Sequence, residues 1–260
     1  LKSIGHAIRL RKPTRCIVVF DGKGGSARRR KIFPDYKMKK NVRFRVNRAL
    51  SLDLDQTEES SSMKYQIVKL IQYLNLLPVT TICMDNVEAD DVMALLARSY
   101  FSGLGKKCTI MSTDKDFLQL VDEDVTVYSP TKRTVYTPEK VSHEYGIHPK
   151  NFLLYRTIDG DRGDNIDGMK GVGEKKLKTA FPELATDAQL NREDLIKISE
   201  DKLKEMPLYK NFLKEDNQSL LKRNYDLMQL KDSILPASMQ TKIFDHVDSP
   251  VTELNKFEFS

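Results

Sequence analysis

The sequence is poor in the features that mark several protein classes. It has 12 Gly and 10 Pro in 260 residues, which excludes a collagen-like or low-complexity chain. Its wholly apolar runs, such as Cys16 to Phe20, are too short for a membrane-spanning helix or a secretory signal. Three cysteines, at 16, 83 and 108, are odd in number and widely spaced, so they give neither a disulfide framework nor a zinc signature. Each lies in an apolar, β-rich stretch, which predicts buried thiols in a reducing compartment. The four histidines, at 6, 143, 148 and 246, form no ligand pair. No GxxxxGK[ST] phosphate loop is present.

Charge is abundant, with 43 Lys+Arg against 37 Asp+Glu and a net charge of +6. Its distribution says more than its total. Residues 22–50 hold eleven bases and one acid, Asp35, whereas residues 85–124 hold nine acids and four bases. A basic segment beside an acidic cluster suggests a polyanion partner and a cation site.

The length suits one large domain or two small ones. Residues 15–20, 79–84 and 108–112 read as buried strands, and 125–128 with 135–136 as a smaller strand pair around a turn. Residues 63–77 and 88–102 carry apolar side chains at helical spacing. Alternating strands and helices predict an α/β fold with a mostly parallel, doubly wound sheet. Residues 26–62, basic and then acidic and Ser-rich, read as a partly helical excursion. Beyond 150 the β signal fades, and 151–158, 174–181, 192–205 and 211–230 read as helices. The chain thus divides into 1–150 and a helical 151–260.

The acids fall where such a sheet places its sites, at the carboxyl ends of strands. Asp21 follows the first run. Asp85, Glu88, Asp90 and Asp91 follow the second, and Asp114 and Asp116 the third. Asp161 and Asp164 follow an apolar helix. Glu88, Asp90 and Asp91 also suit a helix start, and Asp114 and Asp116 suit a helix cap. Gathered carboxylates repel unless protons or cations neutralise them. Carboxylates without Cys or His select Mg²⁺ or Mn²⁺ over zinc. An all-carboxylate site beside a basic segment matches two-metal phosphodiester cleavage.

Five of the twelve glycines, at 160, 163, 168, 171 and 173, lie within fourteen residues. The stretch from Gly168 to Lys176 leads into a helix whose start carries Lys175, Lys176 and Lys178. A glycine turn opening a helix offers backbone N–H groups and the positive dipole end to a phosphate. Such a turn grips a DNA backbone without reading sequence. An ordinary glycine-rich link between helices is the alternative.

Together these stretches resemble a known family. Val18–Val19–Phe20–Asp21, Phe33–Pro34–Asp35–Tyr36–Lys37, Val87–Glu88–Ala89–Asp90–Asp91–Val92, Ser112–Thr113–Asp114–Lys115–Asp116, Gly160–Asp161–Arg162–Gly163–Asp164–Asn165–Ile166 and Gly171–Val172–Gly173–Glu174–Lys175 look like the 5′-nucleases. That family includes flap endonucleases, the 5′-nuclease domain of bacterial DNA polymerase I, and phage RNase H or 5′-exonuclease enzymes. The resemblance spans residues 15–182 in the family's motif order.

It implies a PIN-like nuclease domain over 1–150 and a helix-three-turn-helix in 151–260. It also implies structure-specific cleavage near 5′ ends of branched DNA, with 5′→3′ exonuclease and RNase H activity in replication primer removal. By position, Asp21, Glu88, Asp90, Asp91, Asp114, Asp116, Asp161 and Asp164 would hold or surround two Mg²⁺ or Mn²⁺ ions. Lys37 would polarise the scissile phosphate, with Asp21 and Asp114 as catalytic partners. Residues 26–62 would form an arch for the 5′ single strand. Tyr36 would stack on a base, and Lys23, Arg28, Arg29, Arg30 and Lys40 would contact phosphates. Gly171, Gly173, Lys175 and Lys176 would hold duplex, with a K⁺ on the 168–173 carbonyls. The implied partners are flapped or branched DNA, RNA–DNA duplex and replication proteins such as single-stranded-DNA-binding protein. The implied state is a monomer in the cytoplasm, or the host cytoplasm for a phage protein.

One departure stands out. The family opens with a strand bearing a further metal-binding Asp. Residues 1–20 contain no acid, so the sheet is expected to lack a central strand. A catalytically silent binder of branched DNA is the alternative reading. A PIN-type ribonuclease is disfavoured by the glycine loop, and a HAD-type phosphatase by the missing DxD pair after Phe20.

Overall fold

The structure is a computed structural model that describes residues 2–38, 56–230 and 235–251, with side chains of the second stretch described from residue 61. Lys40 and most of the 26–62 excursion lie outside the described residues.

Two small sheets form the β framework. Strand β1 (Ile17–Asp21) pairs in parallel with β2 (Thr80–Met84), setting Asp21 beside Met84. Strand β3 (Cys108–Met111) pairs in parallel with β4 (Val125–Ser129), and β4 runs antiparallel to β5 (Thr134–Tyr136). Among the described residues the expected single sheet is therefore divided between β1 and β3. The parallel pairing itself is as the sequence predicts.

Helix α1 (Lys2–Arg11) precedes β1 and has no buried residue. Its His6 ring lies 6.5 Å from that of Tyr128, and Arg11 hydrogen-bonds Thr109 at 3.3 Å. Helix α2 (Ala27–Ile32) follows β1. Helix α3 (Gln56–Asn75) leads to β2 and buries its apolar stripe only at its end. Leu74 is fully buried, while Met63 and Ile67 remain exposed. Helix α4 (Ala89–Leu95) buries Val92 and Leu95 and continues as a π-helix over Leu96–Phe101.

Helix α5 (Pro138–Tyr145) shows ordinary end chemistry. The Thr137 side chain accepts from the Lys140 amide, proline opens the first turn, and Gly146 closes it at φ 61°. Then follow α6 (Phe152–Asp159), α7 (Glu174–Ala180), α8 (Arg192–Asp201), α9 (Pro207–Phe212), α10 (Glu215–Met228) and α11 (Ala237–Asp248). The helix expected over 211–230 is broken between α9 and α10.

The main core runs across residue 150. Phe117, Leu120 and Val125 pack in one cluster with Phe152, Leu177, Phe181 and Phe212. A smaller cluster joins Ile82 and Val92 to Ile243 and Val247 of α11. Cys16 and Cys108 are half-buried, but Cys83 is exposed, against expectation. Burial alternates along β2, and Cys83 falls on its open face.

Candidate active site

The turn after β1 fixes the loop after β2. Gly22 donates to the Val87 carbonyl at 3.0 Å, and Asn86 donates to the Lys23 carbonyl at 2.8 Å. A side chain at Gly22 would stand 1.6 Å from the Met84 carbonyl oxygen. This close approach aligns Asp21 with the start of α4, where its carboxylate accepts from the Ala89 amide at 2.8 Å.

Glu88 and Asp91 turn inward. Both are buried, and both bind Arg29 of α2, itself 3% exposed. Arg29 meets Asp91 through two nitrogens, at 2.9 and 2.7 Å, and also donates to Glu88. Lys37 reaches Glu88 at 2.6 Å and stands 4.0 Å from Asp164. The Tyr36 hydroxyl lies 3.3 Å from Glu88 and 3.2 Å from Asp164. Burial pushes the Glu88 pKa up, but the charges of Arg29 and Lys37 and their hydrogen bonds hold it below the ordinary value.

The other acids meet at the end of β3. The Asp114 carboxylate accepts from the Asp116 amide at 2.8 Å, closing a tight turn after Ser112. Asp116 bonds Arg156 Nε at 2.6 Å, and Asp161 bonds Arg156 Nη2 at 2.6 Å. Amides of Gly163 and Asp164 fix the second Asp161 oxygen. Carboxylate oxygens of Asp114, Asp116 and Asp161 lie within 4.8 Å of one another. Asp90 has no ion pair among the described residues. Burial, and then the charge of Asp114, push its pKa up to about 7. Burial likewise lifts Asp116 to about 6, although Arg156 pulls the other way. Burial also raises Asp164. Hard oxygen donors at this spacing fit a divalent cation.

The family whose model describes the 5′-3′ exonuclease N-terminal resolvase-like domain matches residues 1–146. The chain belongs to the 5′-3′ exonuclease family. It is 34% identical over 175 residues to a 5′-3′ exonuclease of Aquifex aeolicus, a match covering 67% of this chain and 54% of that protein. It is 31% identical over 175 residues to the thermostable DNA polymerase I of Thermus filiformis, covering 67% of this chain and 18% of that one. The chain thus spans at most about half the length of these relatives. Among solved structures, the T5 D15 protein co-crystallised with metal ions aligns with a TM-score of 0.70 at 23% identity, covering 95% of this chain and 88% of that one. A bacteriophage T5 D15 flap endonuclease in complex with DNA and metal ions aligns at 0.67 and 24%, covering 98% and 86%. These likenesses show that this 5′-3′ exonuclease family member has the PIN-like fold expected from its sequence.

Of the eight predicted acids, Asp164 stands 4.0 Å from Lys37, and the other seven are held in two modes. Glu88, Asp91, Asp116 and Asp161 carry direct ion pairs with buried arginines. Asp21, Asp90 and Asp114 have no ion pair among the described residues. Lys23 and Arg30 are exposed and Arg28 is half-buried, with one of its nitrogens buried and without a hydrogen-bond partner. Two expectations are corrected. Arg29 does not face a phosphate, because its guanidinium is enclosed by Glu88, Asp91 and the Leu227 carbonyl. Tyr36 is 3% exposed and offers no face for a base to stack on. Gly171, Gly173, Lys175 and Lys176 are exposed, with Gly171 at φ 77° and open space where a side chain would be. No described helix is long and apolar enough to cross a membrane.

Arg156, which contacts two of the predicted acids, is the site residue that the sequence reading missed. It lies in an apolar helical stretch and looks like one polar position on a core helix. The signal was its place near the end of α6, five residues before Asp161, which lies just past that end.

Proposed function

We propose that this chain is a structure-specific 5′-nuclease. Its substrates are phosphodiester bonds near 5′ ends of branched or flapped DNA and of RNA–DNA duplex, as in primer removal during replication. The observation that carries this reading is the cluster of Asp114, Asp116 and Asp161 beside the exposed Lys23 and Arg30, in a chain of the 5′-3′ exonuclease family. The T5 D15 flap endonuclease structure with DNA and metal ions supports it.

The residues fit two divalent ions, Mg²⁺ or Mn²⁺. Asp114, Asp116 and Asp161, whose carboxylate oxygens lie within 4.8 Å of one another, would hold one, and Asp21 and Asp90 the other, with Glu88, Asp91 and Asp164 around them. Ions held by these carboxylates would lower the pKa of a water and neutralise charge on the leaving oxygen. Lys37, partly exposed beside Glu88, is aimed to polarise the scissile phosphate. Lys23, Arg28 and Arg30 carry the strand's phosphates to the site.

The 168–173 loop and Lys175 hold the duplex through its backbone. A K⁺ on this loop's carbonyls would compete with Lys176, whose Nζ is 3.2 Å from the Gly171 oxygen.

The test is cleavage of a labelled 5′-flap substrate with Mg²⁺ and with EDTA. Cutting near the junction is expected with Mg²⁺ alone. Binding without cutting under both conditions would refute the catalytic reading and support a silent binder. Asp114→Asn is expected to abolish cutting and leave flap binding within a few-fold. Retained cutting would remove Asp114 from the site.

A further inference from the structure

Arg156 makes more contacts with the acids than a core helix position requires. Its side chain is 4% exposed. It bonds Asp116 and Asp161 at 2.6 Å each, the Gly160 carbonyl at 2.8 Å, and Asp159 at 3.3 Å. The guanidinium therefore joins the turn after β3 to the loop after α6. Without it, two half-buried carboxylates would face each other, with Asp114 close by, and would repel. A planar fork can hold both in one geometry, which an ammonium cannot.

We propose that Arg156 is a positioning residue and a resident cation. It holds Asp116 and Asp161 where a divalent ion is to bind, and by its charge it keeps that ion's affinity low. This inference rests on the metal-dependent reading above. Asp21 and Asp90, on the other side of the site, have no direct ion pair among the described residues; Lys37 and Arg29 act on Asp90 only through space. An ion drawn to Asp21 and Asp90 meets no cation in direct contact with its ligands, so it binds at a lower metal concentration than the ion beside Arg156. Even at the dielectric of water, a divalent ion about 4 Å from a unit positive charge loses more than tenfold in affinity.

The test is Mn²⁺ binding to the DNA-free protein, followed by electron paramagnetic resonance. The wild type is expected to show one tighter and one weaker ion. Arg156→Met removes the charge and keeps most of the bulk; the weaker ion should tighten at least tenfold. Arg156→Lys keeps the charge and loses the fork. Its weaker ion should bind within about threefold of wild type, with a broadened Mn²⁺ spectrum and a roughly tenfold lower kcat on a flap at unchanged DNA affinity in EDTA. An unchanged isotherm in a folded Arg156→Met protein would overturn the proposal. So would a tenfold tightening in Arg156→Lys, since packing rather than charge would then be responsible; this arm decides the matter if Arg156→Met does not fold. A wild type that takes up no Mn²⁺ would refute the metal-dependent reading itself and this inference with it.

Discussion

Arg29 offers the sharpest separation between a structural and a DNA-contacting role. Arg29→Ala leaves Glu88 and Asp91 buried without their guanidinium partner, and the Leu227 carbonyl without its 2.8 Å donor. Removing one partner of a buried ion pair costs about 3–5 kcal/mol. An orphaned carbonyl adds about 1 kcal/mol or more. A loss on the order of 4 kcal/mol is a large part of the roughly 5–15 kcal/mol that holds a folded protein together. For a chain of this size it lowers Tm by about 10 °C.

The assay is urea and thermal unfolding in EDTA, beside Arg30→Ala as the exposed control. Arg30→Ala should change stability by no more than about 0.5 kcal/mol and weaken DNA binding instead. A double-mutant cycle between Arg29→Ala and Asp91→Ala should return a coupling energy within the range of about 0.5–3 kcal/mol, near its top. If Arg29→Ala costs under about 1 kcal/mol and weakens DNA binding as Arg30→Ala does, Arg29 is a phosphate contact and the enclosed ion pair is wrong.

Three further outcomes follow from the same contacts. The raised pKa of Asp90 favours the protonated carboxyl in the metal-free fold, so its stabilisation is fully present below about pH 4 and is lost as pH rises through about 7. The span is at most roughly 4 kcal/mol; the pH-dependent stability of Asp90→Asn minus that of wild type should show this slope, and a flat difference would refute the raised pKa. Lys175→Ala should weaken duplex binding for all sequences and reduce the salt slope by about one, as read by fluorescence anisotropy at several salt concentrations. An unchanged slope would count against a phosphate contact. Gly22→Ala places a methyl against the Met84 carbonyl and should cost about 3 kcal/mol or more through strain in the turn; unfolding close to that of wild type would show that the two loops part freely.

Much of this fold was legible because it rests on local pattern. The strand runs, the acids after them and the glycine loop depend on residues close together in sequence. What escaped depends on which way one side chain turns. Arg29 stands in the run Arg28–Arg29–Arg30–Lys31, where composition predicts a solvated face. Only the fold of the short α2 helix buries Arg29 fully and turns Arg28 part-way toward Asp91, leaving Arg30 and Lys31 exposed. Tyr36 carried the same ambiguity, since an aromatic beside lysine suits stacking as well as burial. Arg156 was hidden by its apolar neighbours, because helical spacing marks a buried face without saying that a charge there has partners.

The packing across residue 150 has a mechanical consequence. Helix α6 is held in the main core, reaches the acids through Arg156, and runs directly into Asp161, Asp164 and the glycine loop. The loop proposed to grip duplex and the acids proposed to direct cutting are thus joined by one short, anchored length of chain. In a nuclease of the proposed kind this works as a fixed ruler. The distance from the held backbone to the cut bond is built into covalent structure, so salt and temperature should change how often the substrate is cut far more than where.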